Sequence, residues 1–135
     1  MIPKSLVKRV LARDHGMCVI AGPPCTRDAT VADHRVNRGH GGSKVLNDLA
    51  NLIAACGLCN GWKEDVDGEA LIELRRRGVR VQPDSTHAKS LLRAQITPVE
   101  YPNGMVVILT SSGDRLAQVL MKSAGVSIHA DRKVS

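Results

Sequence analysis

Four cysteines in two pairs are the residues of this sequence best suited to binding a metal. Cys56 and Cys59 have two residues between them, and Cys18 and Cys25 have six. The Cys-x-x-Cys spacing lets two thiolates reach one ion from a tight turn, and the wider pair can complete a tetrahedral set. We therefore expect a structural Zn²⁺ site made of all four cysteines. Free thiols, a disulfide and a redox Cys-x-x-Cys are the alternatives.

A polar stretch, VADHRVNRGHGGS at residues 31–43, lies between the cysteine pairs and contains Asp33 and His34. Asn51 lies further along, and Asn60 directly follows the last cysteine. A histidine has an unperturbed pKa near neutral pH and can take a proton from water. Carboxylate and amide oxygens suit a hard divalent cation. These are the residue types that hydrolysis of a phosphodiester requires.

Each of these four residues also has an ordinary structural interpretation. His34 can be a surface histidine, and Asp33 can pair with a nearby arginine. Asn51 can be a turn residue, and Asn60 can cap the helix that follows it. A protein that only binds DNA through a zinc module has no need of the four residues in this order, so the order favours a catalytic site.

The ordered motifs resemble those of the HNH endonucleases, in an H-N-N version formed by His34, Asn51 and Asn60. The resemblance includes CGLCNGWK around the second cysteine pair and covers about residues 13–65. It implies a ββα-metal core of the phage or bacterial type. It also implies that His34 is the general base and that Asn51 orients this histidine and holds its loop. Asp33 and Asn60 would bind the catalytic Mg²⁺ or Mn²⁺.

The charge of the chain favours a polyanionic partner. The formal net charge is +6 and the isoelectric point is about 9.5, which agrees with the double-stranded DNA substrate that the resemblance implies. Lys63 matches the lysine that commonly follows the last motif residue of the family. Contacts with backbone phosphates give affinity without reading sequence. The candidates for such contacts, with a solvated surface as the alternative, are Arg35, Arg38, His40, Lys44 and Lys63.

These residues must be positioned by both helices and strands, so we predict an α+β fold. Residues 1–65 are expected to form the HNH core with its four-cysteine zinc site. Residues 66–135 are expected to form a helical and β-hairpin extension packed on that core. Ser5 can cap a first helix.

The extension contains recognisable start and stop signals. Asp67 can cap a helix that Gly78 ends, and residues 86–95 are predicted to be helical. Asn103-Gly104 favours a hairpin turn, with a strand or helix over 115–121 and a frayed tail from Lys122 onward.

The sequence contains no apolar stretch of the length that a membrane helix needs and no signal-peptide core. We therefore expect a cytoplasmic protein with no membrane partner, and the resemblance to HNH endonucleases of the phage or bacterial type implies a bacterium or a phage-infected host cell. Two other functions compete with a nuclease that acts alone. One is a non-catalytic, zinc-dependent DNA-binding module, and the other is a phage packaging-associated nuclease that an unknown phage or host protein activates.

Overall fold

The computed structural model describes residues 1–37, 44–121 and 126–133, with side chains described as far as residue 117. Over these ranges the protein is a small mixed α+β structure, as predicted. Two short 3-10 turns, Lys44–Leu46 and Leu49–Asn51, precede the second strand. The helices are α1 (Lys4–Arg13), α2 (Gly57–Glu64), α3 (Gly68–Arg76) and α4 (His87–Ile96), and the strands are β1 (Val31–His34), β2 (Leu52–Ala55), β3 (Val99–Glu100), β4 (Val106–Leu109), β5 (Arg115–Met121) and β6 (Val126–Lys133).

Strands β1 and β2 form an antiparallel pair that leads directly into α2. Val31 lies opposite Ala55, and His34 lies opposite Leu52 at the other end of the pair. All four residues of β2 are buried, which fits a continuous apolar strand that is covered on both faces. Cys56 is the N-cap of α2, and its sulfur accepts a hydrogen bond from the backbone N–H of Cys59. The order strand, strand, helix places His34 at the far end of the pair from the cysteines.

A buried carboxylate joins α1 to the rest of the molecule. Asp14, fully buried at the end of α1, accepts hydrogen bonds from Arg13, from the hydroxyl of Tyr101 and from the backbone N–H of Ala54. Burial and the neighbouring Asp14 charge raise the pKa of Tyr101, so its hydroxyl stays protonated and donates. This network links α1, β2 and the start of the second sheet.

The helices of the C-terminal segment have the ends that the sequence predicted. Thr86 caps α4 by accepting from the N–H of Lys89 at 3.1 Å, and Asp67 occupies the N-cap position of α3 without a side-chain bond. Gly78 follows α3 with a φ of +71°, and a Cβ there would lie 1.9 Å from the carbonyl oxygen of Pro98. Only glycine fits both the left-handed backbone and the close approach.

The second sheet has the order β3-β4-β5-β6, all antiparallel. The predicted turn at Asn103-Gly104 is confirmed, since Gly104 has a φ of +88° between β3 and β4. Residues 115–121 are a strand, the first of the two predicted alternatives. The prediction of a frayed tail was wrong for residues 126–133, which pair with β5 because its outer edge offers unpaired backbone groups. The other residues of the predicted tail, 122–125 and 134–135, lie outside the described residues.

One apolar cluster spans both halves of the chain. Val10 and Ile53 from the first half pack in the same cluster as Leu74, Val99 and Val107 from the second. No helix in the described ranges is long and apolar enough to cross a membrane.

Candidate functional site

The four cysteines converge on one point. Their sulfur atoms all lie within 4.8 Å of one another. Cys18, Cys56 and Cys59 are buried, and Cys25 is half-buried. Four such sulfurs can hold a metal ion, and a tetrahedral thiolate set with no open position is the structural mode of zinc. The first pair comes from the segment before β1 and the second from the start of α2, so an ion here would join the two.

Backbone N–H groups support negative charge on these sulfurs. The N–H of Cys59 donates to Cys56 at 3.3 Å, and the N–H of Arg27 donates to Cys25 at 3.2 Å. Burial opposes ionisation of the Cys56 thiol, but hydrogen bonds from Thr26 and Cys59 outweigh it and lower the pKa to about 6. A cysteine ionised near neutral pH is ready to bind a cation.

The loop that holds the first cysteine pair packs directly on α2. A Cβ on Gly22 would lie 2.5 Å from Cζ3 of the Trp62 ring. Trp62 is the only tryptophan of the chain, and its ring covers the loop beside the cysteines. Gly22 is therefore required by space, since its φ is not in the left-handed region.

A polar pocket lies at the end of β1, opposite the cysteine end of the strand pair. Three of its lining residues, Asp33, His34 and Arg35, are consecutive in the chain. The others come from the following loop, from the end of α2 and from the segment after α3. They are Asn37, Lys63, Glu64 and Arg80.

Lys63 does not face solvent. Its Nζ donates to Oδ2 of Asp33 at 2.7 Å and to the carbonyl oxygen of His34 at 2.6 Å, and the residue is 7% exposed. The predicted phosphate contact for Lys63 is thus corrected: its ammonium neutralises Asp33 and ties α2 to β1. Asp33 lines the pocket, with one carboxylate oxygen already bonded to the ammonium group of Lys63.

His34 has a side-chain partner that the sequence did not identify. Its Nε2 lies 2.7 Å from Oδ1 of Asn47. An amide oxygen only accepts, so in the tautomer that makes this hydrogen bond the proton is on Nε2. Asn47 also donates to the carbonyl oxygen of Met1 at 3.2 Å.

Asn51 holds the base of the loop that follows His34. Its buried side chain accepts from the N–H of Val36 at 2.9 Å and donates to the carbonyl oxygens of Val36 and Leu46. These bonds close the loop at both of its ends. The expected orienting contact with the imidazole comes from Asn47, while the side chain of Asn51 bonds to backbone.

Arg35 is a structural residue, which corrects the predicted phosphate contact. Only 1% of it is exposed, and its guanidinium donates to four carbonyl oxygens, those of Ala50, Gly78, Ala94 and Thr97, at 2.7 to 2.9 Å. Burial and the nearby Arg13 charge lower its pKa to about 9. With the group enclosed by these acceptors, it is not placed to meet a phosphate.

Asn60 is half-buried on α2 and lies three residues before Lys63, so the two share one face of the helix. The residues of α2 that line the pocket are Lys63 and Glu64. The structure thus brings Asp33 and His34 together in the pocket, whereas Asn60 lies on α2 one helical turn before the pocket residues Lys63 and Glu64.

Of the remaining predicted phosphate contacts, one lies among the described residues. Lys44 is exposed at the start of a 3-10 turn. Arg38 and His40 lie outside the described residues.

Four residues of the site were missed by sequence reasoning: Asn37, Asn47, Glu64 and Arg80. Glu64 directly follows Lys63, the lysine that matches the family motif, and this position could have identified it as a site residue from the sequence. Arg80 lies 46 residues after His34 in the chain, and only the tertiary packing brings it there.

Comparison with known proteins gives one relative of limited coverage. No family model matches the chain, and no solved structure matches it. The chain is similar to the "Gene 4 protein" of Mycobacterium phage L5, with 40% identity over 73 residues. The matched part is 54% of this chain and 64% of that protein, so the similarity spans less than two thirds of the length of the phage relative.

Proposed function

We propose that this protein is a metal-dependent DNA endonuclease of the HNH type that hydrolyses phosphodiester bonds. The observation that supports this most strongly is the placement of Asp33 and His34 in one polar pocket at the end of β1. Cationic side chains line the same pocket, and a four-cysteine cluster lies at the other end of the strand pair. A carboxylate, an imidazole and positive charge in one pocket are the groups that phosphodiester hydrolysis uses.

In this proposal His34 is the general base. The Asn47 amide oxygen lies 2.7 Å from Nε2 and would fix the orientation of the ring. The imidazole takes a proton from a water molecule, and the hydroxide oxygen forms a bond to the phosphorus. The P–O bond to one sugar oxygen breaks, and that oxygen leaves and takes up a proton from solvent. Asn51 contributes by holding the loop backbone at Val36 and Leu46, and thereby the end of β1 from which the imidazole projects.

The pocket holds two carboxylates of the kind that suit a hard divalent cation, while Asn60, the other expected ligand, lies one turn away along α2. Asp33 offers a carboxylate, Glu64 a second one in the same pocket, and Asn60 an amide on the same helix. Asp33 and Asn60 would hold Mg²⁺ or Mn²⁺, and Lys63 donates to one of the Asp33 oxygens. The cation would neutralise charge on the phosphate and the leaving oxygen.

The cysteine cluster would hold a structural Zn²⁺. Its ligands are Cys18, Cys25, Cys56 and Cys59, and no position is left for a substrate. The ion would hold the segment before β1 against the start of α2 and so fix the angle between the strand pair and the helix.

Double-stranded DNA is the proposed substrate, on the basis of the net charge of +6 and the pocket chemistry. We place the activity in the cytoplasm of a bacterium or a phage-infected host cell, which agrees with the similarity to a phage protein. Exposed Lys44, at the edge of the loop after β1, remains a candidate phosphate contact.

Cleavage of plasmid DNA with added Mg²⁺ or Mn²⁺ tests the proposal. We expect His34→Ala to lose cleavage by about 100-fold or more, while His87→Ala, at an exposed histidine on α4, keeps the wild-type rate. Equal cleavage by the two variants would exclude His34 as the base. Zinc-dependent DNA binding without cleavage would indicate the non-catalytic module, and cleavage only in an infected-cell extract would indicate activation by a partner.

A further inference from the structure

We propose that Arg80 binds the phosphate group of the substrate in the polar pocket, as a cation supplied by the segment after α3. This inference rests on the proposed nuclease function and adds a residue outside the motifs that suggested it. Arg80 is half-exposed and lines the pocket together with Asp33 and His34.

The backbone of Arg80 is held firmly beside the end of β1. The N–H of Arg80 donates to the carbonyl oxygen of Leu74 at 3.2 Å. The next residue, Val81, donates to the carbonyl oxygen of Arg35 at 3.0 Å, and Val81 is buried. Because Arg35 directly follows His34, the segment carrying Arg80 is bonded to the strand end that carries the proposed base. A side chain on such a rigid support can be placed accurately.

The guanidinium of Arg80 retains free donors. Its Nη1 donates to the carbonyl oxygen of Lys63 at 3.1 Å, at the end of α2. Among the residues that the structure describes, this is the one hydrogen bond of the Arg80 side chain, and the side chain forms no ion pair with them. An arginine has five N–H donors, so the single bond orients the group and leaves the rest for a ligand.

Other arginines near the core differ from Arg80 in this respect. The Arg35 guanidinium donates hydrogen bonds to four carbonyl oxygens. Arg13 is bonded to Asp14 and to two carbonyl oxygens, and Arg77 is bonded to three carbonyl oxygens. Arg80 lines the pocket and keeps guanidinium N–H groups that form no hydrogen bond with the described residues.

The charges of the pocket leave one accessible cation, Arg80, beside one exposed carboxylate, Glu64. The pocket lining contains three cations, Lys63, Arg80 and Arg35, against two carboxylates, Asp33 and Glu64. Lys63 neutralises Asp33, and Arg35 is turned into the interior. Arg80 is therefore the cation placed to meet an incoming group. A guanidinium can bind two phosphate oxygens at once in a planar arrangement, which orients the phosphate as well as attracting it.

The experiment measures binding of a duplex of about 20 base pairs without added divalent cation, so that no cleavage occurs, over a series of salt concentrations. The main variant is Arg80→Gln, which keeps a donor for the Lys63 carbonyl but loses the charge. Arg75→Gln is the matched control, because Arg75 is exposed on α3 and does not line the pocket.

We expect Arg80→Gln to reduce the slope of log affinity against log salt by about one phosphate contact. In cleavage assays Arg80→Gln should also lower the rate at saturating DNA. Arg80→Lys should restore the wild-type salt slope but only part of the cleavage rate. The reason is that a single ammonium group cannot bind two phosphate oxygens in the same planar arrangement. Arg75→Gln should leave the cleavage rate unchanged. Thermal unfolding of each variant verifies the fold.

Failure of this inference can be told apart from failure of the proposed function. If wild type cleaves DNA, His34→Ala does not, and Arg80→Gln matches Arg75→Gln in both salt slope and rate, then the role of Arg80 is overturned and the nuclease stands. If wild type neither cleaves nor binds the duplex, the nuclease proposal itself is wrong.

Discussion

Lys63 and Asp33 form a buried ion pair, with Nζ and Oδ2 2.7 Å apart. Lys63 also donates to the carbonyl oxygen of His34, so a single ammonium group joins α2 to the strand end that carries the proposed base. Both charges are largely removed from water, and each depends on the other for compensation. The proposed catalytic carboxylate is thus held by a residue that the sequence assigned to DNA.

Replacing Lys63 by methionine should destabilise the protein by about 3–5 kcal/mol, because a buried Asp33 carboxylate is left without a partner. Urea unfolding measures the loss, with Lys44→Met at an exposed site as the control. If a divalent cation binds Asp33, Mn²⁺ should raise the melting temperature of Lys63→Met more than that of wild type. A variant as stable as wild type would show that the pair contributes nothing.

Replacing Asn47 by alanine should lower the cleavage rate by about 10- to 100-fold with little change in DNA affinity, because the imidazole loses the acceptor that fixes its orientation. Asn47→Asp offers a sharper test. A carboxylate at this position favours the protonated imidazole, so the rising limb of the pH–rate profile should move to higher pH. A loss of rate with an unchanged profile would instead point to damage of the loop.

Purified protein should contain one zinc ion per chain, bound by four thiolates. Cys59→Ser should reduce the zinc content and the melting temperature together, because a structural ion contributes directly to folding. Elemental analysis and calorimetry are the measurements, and added zinc should restore the wild-type protein after chelation. Two disulfides in place of the ion would appear as zinc-free protein without reactive thiols on denaturation.

Two glycines offer a matched pair for testing the packing beside the cysteines. Gly22→Ala should cost about 1–3 kcal/mol, since the new methyl group would lie 2.5 Å from the Trp62 ring. Gly61→Ala lies inside α2, and no described atom beyond its chain neighbours and the backbone of its own helix lies within 4 Å of the new group. This substitution should be neutral or stabilise by up to about 1 kcal/mol. Chemical denaturation of the two variants measures the difference. Similar values for both would contradict the close packing of Gly22.

Local signals predicted most elements and the cysteine cluster, but the prediction that Ser5 caps the first helix was wrong, since α1 begins at Lys4 with Pro3 at its N-cap. The side-chain hydroxyl of Thr86 caps the start of α4, and the left-handed backbone of Gly78 follows the end of α3. Asn103-Gly104 determines a turn within four residues. The cysteine spacing similarly indicated a shared ion from nearby positions along the chain.

The polar site was harder to predict because burial depends on distant partners. The neighbours of Arg35 in the chain suggest a solvated cation, yet its acceptors include Gly78 and Thr97, which follow it by 43 and 62 residues. The same reason explains why Arg80 was missed and why Lys63 was assigned to phosphate. Whether a charge meets water or protein is decided by chain segments that come together only on folding.

The four hydrogen bonds of the Arg35 guanidinium have a practical consequence for C-terminal truncation of this protein. Three of its acceptors, in Gly78, Ala94 and Thr97, belong to the segment after residue 65, and only Ala50 belongs to the part that carries the motifs. A fragment ending at residue 65 would strip most of the acceptors from a guanidinium adjacent to the proposed base. We therefore expect the shortest fragment that folds to extend at least through α4 to Thr97, so that the C-terminal helices form part of the proposed nuclease.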